Sequence, residues 1–296
     1  MDQAGDPRSG HCTQAGLFLR QPSLAGPLRR RRSVDRRRHG RTPLPRTPRP
    51  DDRCGRSDPS SLGNRGVGMT DRVFSLLRLL QTADSSFPSG AFAFSSGLET
   101  LAAEGRVGGA ADVRALLADQ IVPRWLGFDR LFLREAFAAA ADPDTLLEID
   151  RRCHLQNTVD RLAEASRRVG RALLTVHARI GTTGAAEYRD SLAASGQATT
   201  LGYEPVVQGI VGAGLGLACD EAEAGALNAV VMGFTSAAVR LGRLGALDAQ
   251  SVLAALADDM AAGLARMPPA QPGAFSPLTE IAALRRPADQ ASLFAT

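Results

Sequence analysis

Four histidines, four cysteines and a basic complement made only of arginine are what any chemistry in this 296-residue chain would have to be built from. His11 and His39 fall in a basic N-terminal stretch, which leaves His154 and His177. Cys153 and His154 are neighbours in sequence, so on a helix their side chains diverge by about 100° and cannot share one ion. No His-x-x-x-His, His-x-x-Glu or Cys-x-x-His supplies a preformed metal site. Ser95 and Ser96 lack both a Gly-x-Ser-x-Gly setting and a histidine nearby in sequence to act as base. Gly209, Gly212, Gly214 and Gly216 crowd one segment without forming Gly-x-Gly-x-x-Gly after a strand, which points to close packing or an interface. Lysine is absent, which removes the Gly-Lys-Ser/Thr of a phosphate-binding loop and the amine of Schiff-base chemistry. Asp258-Asp259 and the Glu221/Glu223 pair read as solvated or helix-start charges. The expected tally is therefore no catalytic residue, no cofactor and no metal ligand.

The elements that would position these side chains are helices. Val73, Leu76, Leu77 and Leu80 share a face at the 3.6-residue period, as do Val113, Leu116, Leu117 and Ile121. Phe128, Leu131 and Phe132 continue that pattern beyond Pro123. Asp142-Pro143 has the form of an N-cap followed by proline at the first helical position, opening a helix through Leu146, Leu147 and Ile149. A further stripe runs through Leu162, Ala165, Val169, Leu173 and Val176. Glu204-Pro205 starts the glycine-rich helix, and Asp220 is expected to cap a long one carrying Ala226, Val230, Phe234, Ala237 and Leu241. Leu253, Leu256, Met260 and Leu264 form the last long stripe, ended by Pro268-Pro269. No run of period-two β-branched or aromatic residues competes. The predicted fold is all-α, a single bundle-like domain of about eight to ten helices. Val206 to Cys219 is too short and glycine-dense to span a membrane and reads as a buried helix.

Charge divides the chain in two. Residues 1–68 carry 15 arginines against 6 aspartates and 8 of the 17 prolines, whereas 69–296 carry 20 arginines against 25 acidic residues. The basic isoelectric point thus belongs to the N-terminal stretch. Its low apolar content and lack of helical period predict disorder, and Met69 is the expected functional start. An arginine-rich arm of this kind can bind nucleic-acid phosphates, so an all-α nucleic-acid binder is the alternative reading; an all-α enzyme with a small-molecule cleft lacks the convergent polar groups it would need. Cys12, Cys54, Cys153 and Cys219 contain no Cys-x-x-Cys and fit a reduced, cytoplasmic protein.

One stretch is more particular than its surroundings. In Asp84-Ser-Ser-Phe-Pro88-Ser-Gly90-Ala-Phe92-Ala-Phe-Ser95-Ser-Gly97-Leu98-Glu99, proline fixes φ and glycine relaxes the backbone, so the segment should break one helix and start another. Taken by itself it reads as a shaped corner. With it go Asp160 to Gly170, containing the pair Arg167-Arg168, which either presents planar guanidinium forks to a partner's carboxylates or forms a solvated face. Ser236 to Gly245, containing Arg240, and Ser276-Pro277-Leu278-Thr279-Glu280-Ile281-Ala282, followed by Leu293-Phe294, complete the set. Together these motifs resemble the UreF family of urease accessory proteins over about residues 73–296. The chain departs from that pattern at Arg286-Pro287 and at Ala291-Ser292-Leu293-Phe294, where the family often has His-Glu and Ser-Arg-Leu-Phe.

The resemblance implies a non-catalytic, all-helical, cytoplasmic adaptor that forms a homodimer and binds UreD/UreH. It also implies recruitment of the GTPase UreG, so that nickel reaches apo-urease. The residues expected to meet partners are Pro88, Gly90, Phe92, Ser95, Gly97, Leu98, Glu99, Arg167, Gly170, Arg240, Pro277, Leu278, Ile281, Leu293 and Phe294. Residues 275–296 are expected to form a partner-binding C-terminal segment. No nucleic-acid or membrane partner is expected.

Overall fold

Pro123 lies in the middle of a helix that does not stop for it. In the computed structural model, which describes residues 69–84, 86–91 and 94–285, helix α3 runs without a break from Ala110 to Ala138. Proline removes an N–H and pushes against the carbonyl of the preceding turn. The helix accommodates this by widening on both sides, into π-helical stretches at Leu117–Ile121 and Trp125–Asp129 around the short turn Val122–Arg124. The Val122 N–H reaches back to the Leu117 carbonyl and the Arg130 N–H to that of Trp125.

Around α3 lie α1 (Met69–Ala83), α2 (Leu98–Ala103), α4 (Pro143–Gln156), α5 (Asp160–Arg179), α6 (Ala185–Ala194), α7 (Glu204–Gly214), α8 (Cys219–Arg240), α9 (Ala246–Ala265) and α10 (Pro277–Arg285). The described residues thus form ten helices and no strand, the all-α array that the periodicity predicts. Residues 1–68 lie outside the described residues. Asp142 caps α4, accepting the Thr145 N–H at 3.3 Å, and α7 opens at Glu204-Pro205 as expected. The cap of α8 differs: the helix starts at Cys219 after Ala218, and the Glu221 carboxylate accepts the Ala218 N–H at 2.9 Å. Asp220 is instead an acidic residue of the first turn, favoured there by the helix dipole.

Two apolar clusters flank α3. Phe128, Phe132 and Ala136 pack with α4, α5, α6 and α7 in one, and Trp125 and Leu133 pack with α2, α8, α9 and α10 in the other. The glycines of α7 set the closest crossing. A Cβ at Gly209 would stand 2.3 Å from the Leu133 carbonyl oxygen, and one at Gly214 would stand 2.2 Å from that of Thr183. The glycine-rich helix is therefore buried in a helix array. Helix α8, long and apolar enough to cross a membrane by length and composition, likewise has Leu227, Val231 and Phe234 in the core.

Buried charge ties the array together. Arg130, 4% exposed, donates to both oxygens of Glu223 at 2.9 and 3.0 Å, and Arg134 adds a third bond at 2.9 Å. The remaining Arg130 donors reach the carbonyls of Gly263, Leu264 and Arg266, groups that the end of α9 leaves without intrahelical partners. Asp150 accepts from the Tyr188 hydroxyl and from the N–H groups of Gly202 and Tyr203. It thereby anchors the turn that leads into α7.

Candidate partner-docking face

The corner and the C-terminal segment, read as separate motifs, meet. Gly97 has φ 84°, a region L-residues avoid, and a Cβ there would lie 2.4 Å from the Thr279 carbonyl oxygen and 3.1 Å from Ala282 Cβ. The absent side chain lets α10 lie directly on the start of α2. Helix α10 buries Thr279, Ala282 and Ala283 against that corner, and its own ends are held by Leu278 N–H donating to Gln120 Oε1 at 3.1 Å and by Arg285 bonding Glu104 at 3.0 Å. Its opposite side faces solvent: Leu278 is 37%, Ile281 50% and Leu284 59% exposed, with Phe275 just before the helix more exposed still. Small residues point inward and large apolar residues outward. An apolar row of this kind beside a fixed backbone is a surface for another protein, since isolated exposed leucines are common but aligned ones are not.

The other expected partner residues divide by position. Pro88 and Gly90 are exposed, Gly90 at φ 72° with nothing near its missing Cβ. Ser95, Gly97 and Leu98 are buried, and Glu99 and Pro277 are half-buried. Gly170 is also buried, and a Cβ on it would meet the Gly202 carbonyl oxygen at 2.2 Å. These buried positions shape the surface and present no side chain on it. Arg167 is engaged within the chain: it donates to the Tyr203 hydroxyl at 2.6 Å and lies over that ring, while His154 Nδ1 bonds the same hydroxyl at 2.9 Å. Arg240 is exposed at the end of α8. Phe92, Leu293 and Phe294 lie outside the described residues.

Beneath the corner lies a polar hollow of about 130 Å³ that sequence reading did not anticipate. The widened turns of α3 bring Arg124 and Asp129 into its wall as an ion pair, and Arg124 also donates to Asn157 Oδ1 at 3.3 Å. Facing them from α7, Glu204 accepts from Gln208 at 2.9 Å. Burial raises the pKa of Asp129 against the pull of Arg124. Burial, with the negative charge of Asp129 added, pushes Glu204 up to about 8, so it holds its proton at neutral pH. His177 behaves in the opposite sense. Buried among Thr82, Thr182 and Phe87 and near the Arg78 guanidinium, it is lowered to about 4 and stays neutral. Burial likewise raises the Cys153 thiol, keeping it protonated. Among the described residues no group of three or more histidine, cysteine, aspartate or glutamate side chains is placed to hold a metal ion. The hollow can keep a proton; a nucleophile paired with a base is not part of it. A proline inside a helical pattern, followed at once by arginine, was the sequence signal for this wall of the hollow. Its opposite wall, 75 residues further on, left none.

The sequence model of the UreF family matches residues 107–257. Over 222 residues the chain is 32% identical to a protein named urease accessory protein UreF from Arthrobacter sp. (strain FB24), covering 74% of this chain and 96% of that one. The protein of the same name from Trichodesmium erythraeum (strain IMS101) is 30% identical over 74% of this chain and 96% of its own length. That from Cereibacter sphaeroides (strain KD131 / KCTC 12085) is 32% identical over 75% and 98%.

Proposed function

The chain belongs to the UreF family of urease accessory proteins, and from that premise we propose that it is a cytoplasmic, non-catalytic adaptor of urease maturation. It docks UreD/UreH on the face built by the corner and α10, and the helical body then recruits the GTPase UreG, so that nickel is delivered to the apo-urease subunits as cargo. The adaptor works as a homodimer. Pro88, Gly90, Leu278 and Ile281 supply surface to the first contact, with Leu293 and Phe294 extending it, while Gly97 and Leu98 hold α10 in place.

The observation that carries this reading is the outward row Leu278, Ile281 and Leu284 on a helix whose inner face is fixed against Gly97. Such a row gains stabilisation only by being covered, at about 25 cal/mol per Å² of apolar surface removed from water. The test is co-expression of the full chain with the host's UreD/UreH and UreG, followed by gel filtration with light scattering. A stoichiometric complex is expected for the parent protein. Ile281→Asp should release UreD/UreH while leaving the helical circular dichroism unchanged. An undiminished complex with Ile281→Asp would remove α10 from the interface, and a parent chain that ignores both partners would refute the adaptor reading as a whole.

A further inference from the structure

Helix α1 is attached to the body by its less apolar side. Ser75 donates to the Leu215 carbonyl at 2.8 Å, Leu79 fills the space left by Gly225, and Thr82 bonds His177. The stripe expected from the sequence, Val73, Leu76, Leu77 and Leu80, points the other way, each 50–60% exposed, with Phe74 at 58% beside it and Met69 at 86%. Helical packing does not explain a face of this kind, because the inner contacts that hold α1 are already made on its other side.

We infer that this face pairs with the same face of a second copy of the chain, two α1 helices lying antiparallel across a two-fold axis near Leu76 and Leu77. Three features favour a second copy over other covers. First, Met69, Val73, Leu76 and Leu80 follow the alternating four- and three-residue spacing of a coiled-coil seam, the pattern by which one helix packs against another of its kind. Second, an isologous contact requires a patch that is complementary to itself. This one is apolar throughout, and the charges near it, Asp71 and Arg72, sit at one end of α1 with Arg72 bonded to Glu221 of its own chain. Antiparallel pairing keeps the two charged ends apart, with Val73 of one copy opposite Leu80 of the other. Third, the exposed parts of these side chains amount to roughly 600 Å² per copy, so a pair would cover about 1,200 Å², the lower edge of a stable interface. The α10 face lies elsewhere on the fold, packed on α2 and α3, and stays available to the partner proposed above.

This inference rests on the adaptor reading only in naming which face makes the homodimer, and it is tested without the other accessory proteins. Sedimentation velocity on the full chain over a range of concentrations should give a dimer. Leu77→Asp and, independently, Val73→Asp should give monomers with unchanged helical content, since both positions are solvent-facing in the single copy, whereas Leu284→Asp should remain dimeric. At a concentration where the parent is fully dimeric, dimer dissociation should strengthen at least a hundredfold in Leu77→Asp. A parent chain that stays monomeric overturns the inference and leaves the residues before Met69 or a foreign helix as the cover. A dimer that survives both substitutions overturns it too, placing the interface on another face, and neither result bears on UreD/UreH binding.

Discussion

The two terminal helices and the central body obey opposite rules. Helices α3 to α9 bury their large side chains, Trp125, Phe132, Leu174 and Leu256 among them, and place charge outside. Helices α1 and α10 turn that pattern over. α1 buries Ser75, and α10 buries Thr279, Ala282 and Ala283, and both hold leucines in solvent. A helix held by its small or polar side gives up part of the hydrophobic stabilisation it might have had. In a protein whose described residues carry no metal cluster, the inverted helices mark where it works. The central body supplies rigidity, and the ends supply contact.

The contrast is most sharply broken in the body. Glu223→Ala should strand the 4%-exposed Arg130 without its partner, lowering unfolding free energy by about 3–5 kcal/mol; thermal or denaturant unfolding reads this directly. Restoring neutrality with Arg130→Met in the same chain should recover part of the loss.

Next in size is the contact that joins body to end. Gly97→Ala places a Cβ where the Thr279 carbonyl oxygen stands and forces L-geometry at φ 84°, a cost of about 1–3 kcal/mol for the backbone alone. Hydrogen exchange should show amides of 277–285 losing protection before those of α3. Uniform loss across the chain would mean that α10 is no separate unit.

pH separates two parts of the interior. Neither state protonates His177 above its ordinary value of 6.5, so its contribution is intact there. Because the folded value is about 4, stability falls as pH drops from 6.5 towards 4, by up to about 3 kcal/mol. Glu204 acts on the other side. Its folded value of about 8 lies above the ordinary 4.5, so both states are protonated at low pH and stability declines as pH climbs from 4.5 through 8. Glu204→Gln should remove that decline, its advantage over the parent growing from near zero at pH 4.5 to about 1–3 kcal/mol at pH 8. Stability curves of the two proteins that run parallel across this range would show that Glu204 keeps an ordinary carboxyl. The smallest effect on folding belongs to the outward leucines: Ile281→Asp should change unfolding free energy by no more than about 0.5 kcal/mol while changing partner binding most.

Much of the architecture could be read before any coordinates. Asp142-Pro143 and Glu204-Pro205 begin helices because a side-chain cap and a proline at the first turn are local effects, needing no knowledge of neighbours. Pro268-Pro269 ends α9 for the same reason. Asp220 was misjudged as a cap because Glu221, one residue later, competes for the same N–H groups and reaches the Ala218 amide instead. At Pro123 the local rule predicts a break, and the surrounding core, holding Trp125 and Phe128 on either side, kept the helix continuous by widening it. Of the candidate docking residues, the motifs were visible as motifs, but nothing local distinguishes Gly97, which receives α10, from Gly90, which receives nothing.

Periodicity, caps and composition by themselves determined that this chain is helical, where most of its helices begin and end, and that its acidic body differs from its basic N-terminal stretch. Those properties depend on residues within a few positions of each other. Only the tertiary structure decided which side of each helix faces inward, that Thr279 and Gly97 meet across 182 positions, and that Asp129 and Glu204 share one hollow. An apolar stripe states that a face wants cover and leaves open whether its own chain or another will provide it. In α1 and α10 the small and polar residues on the far side found partners first, and the leucines were left for other molecules.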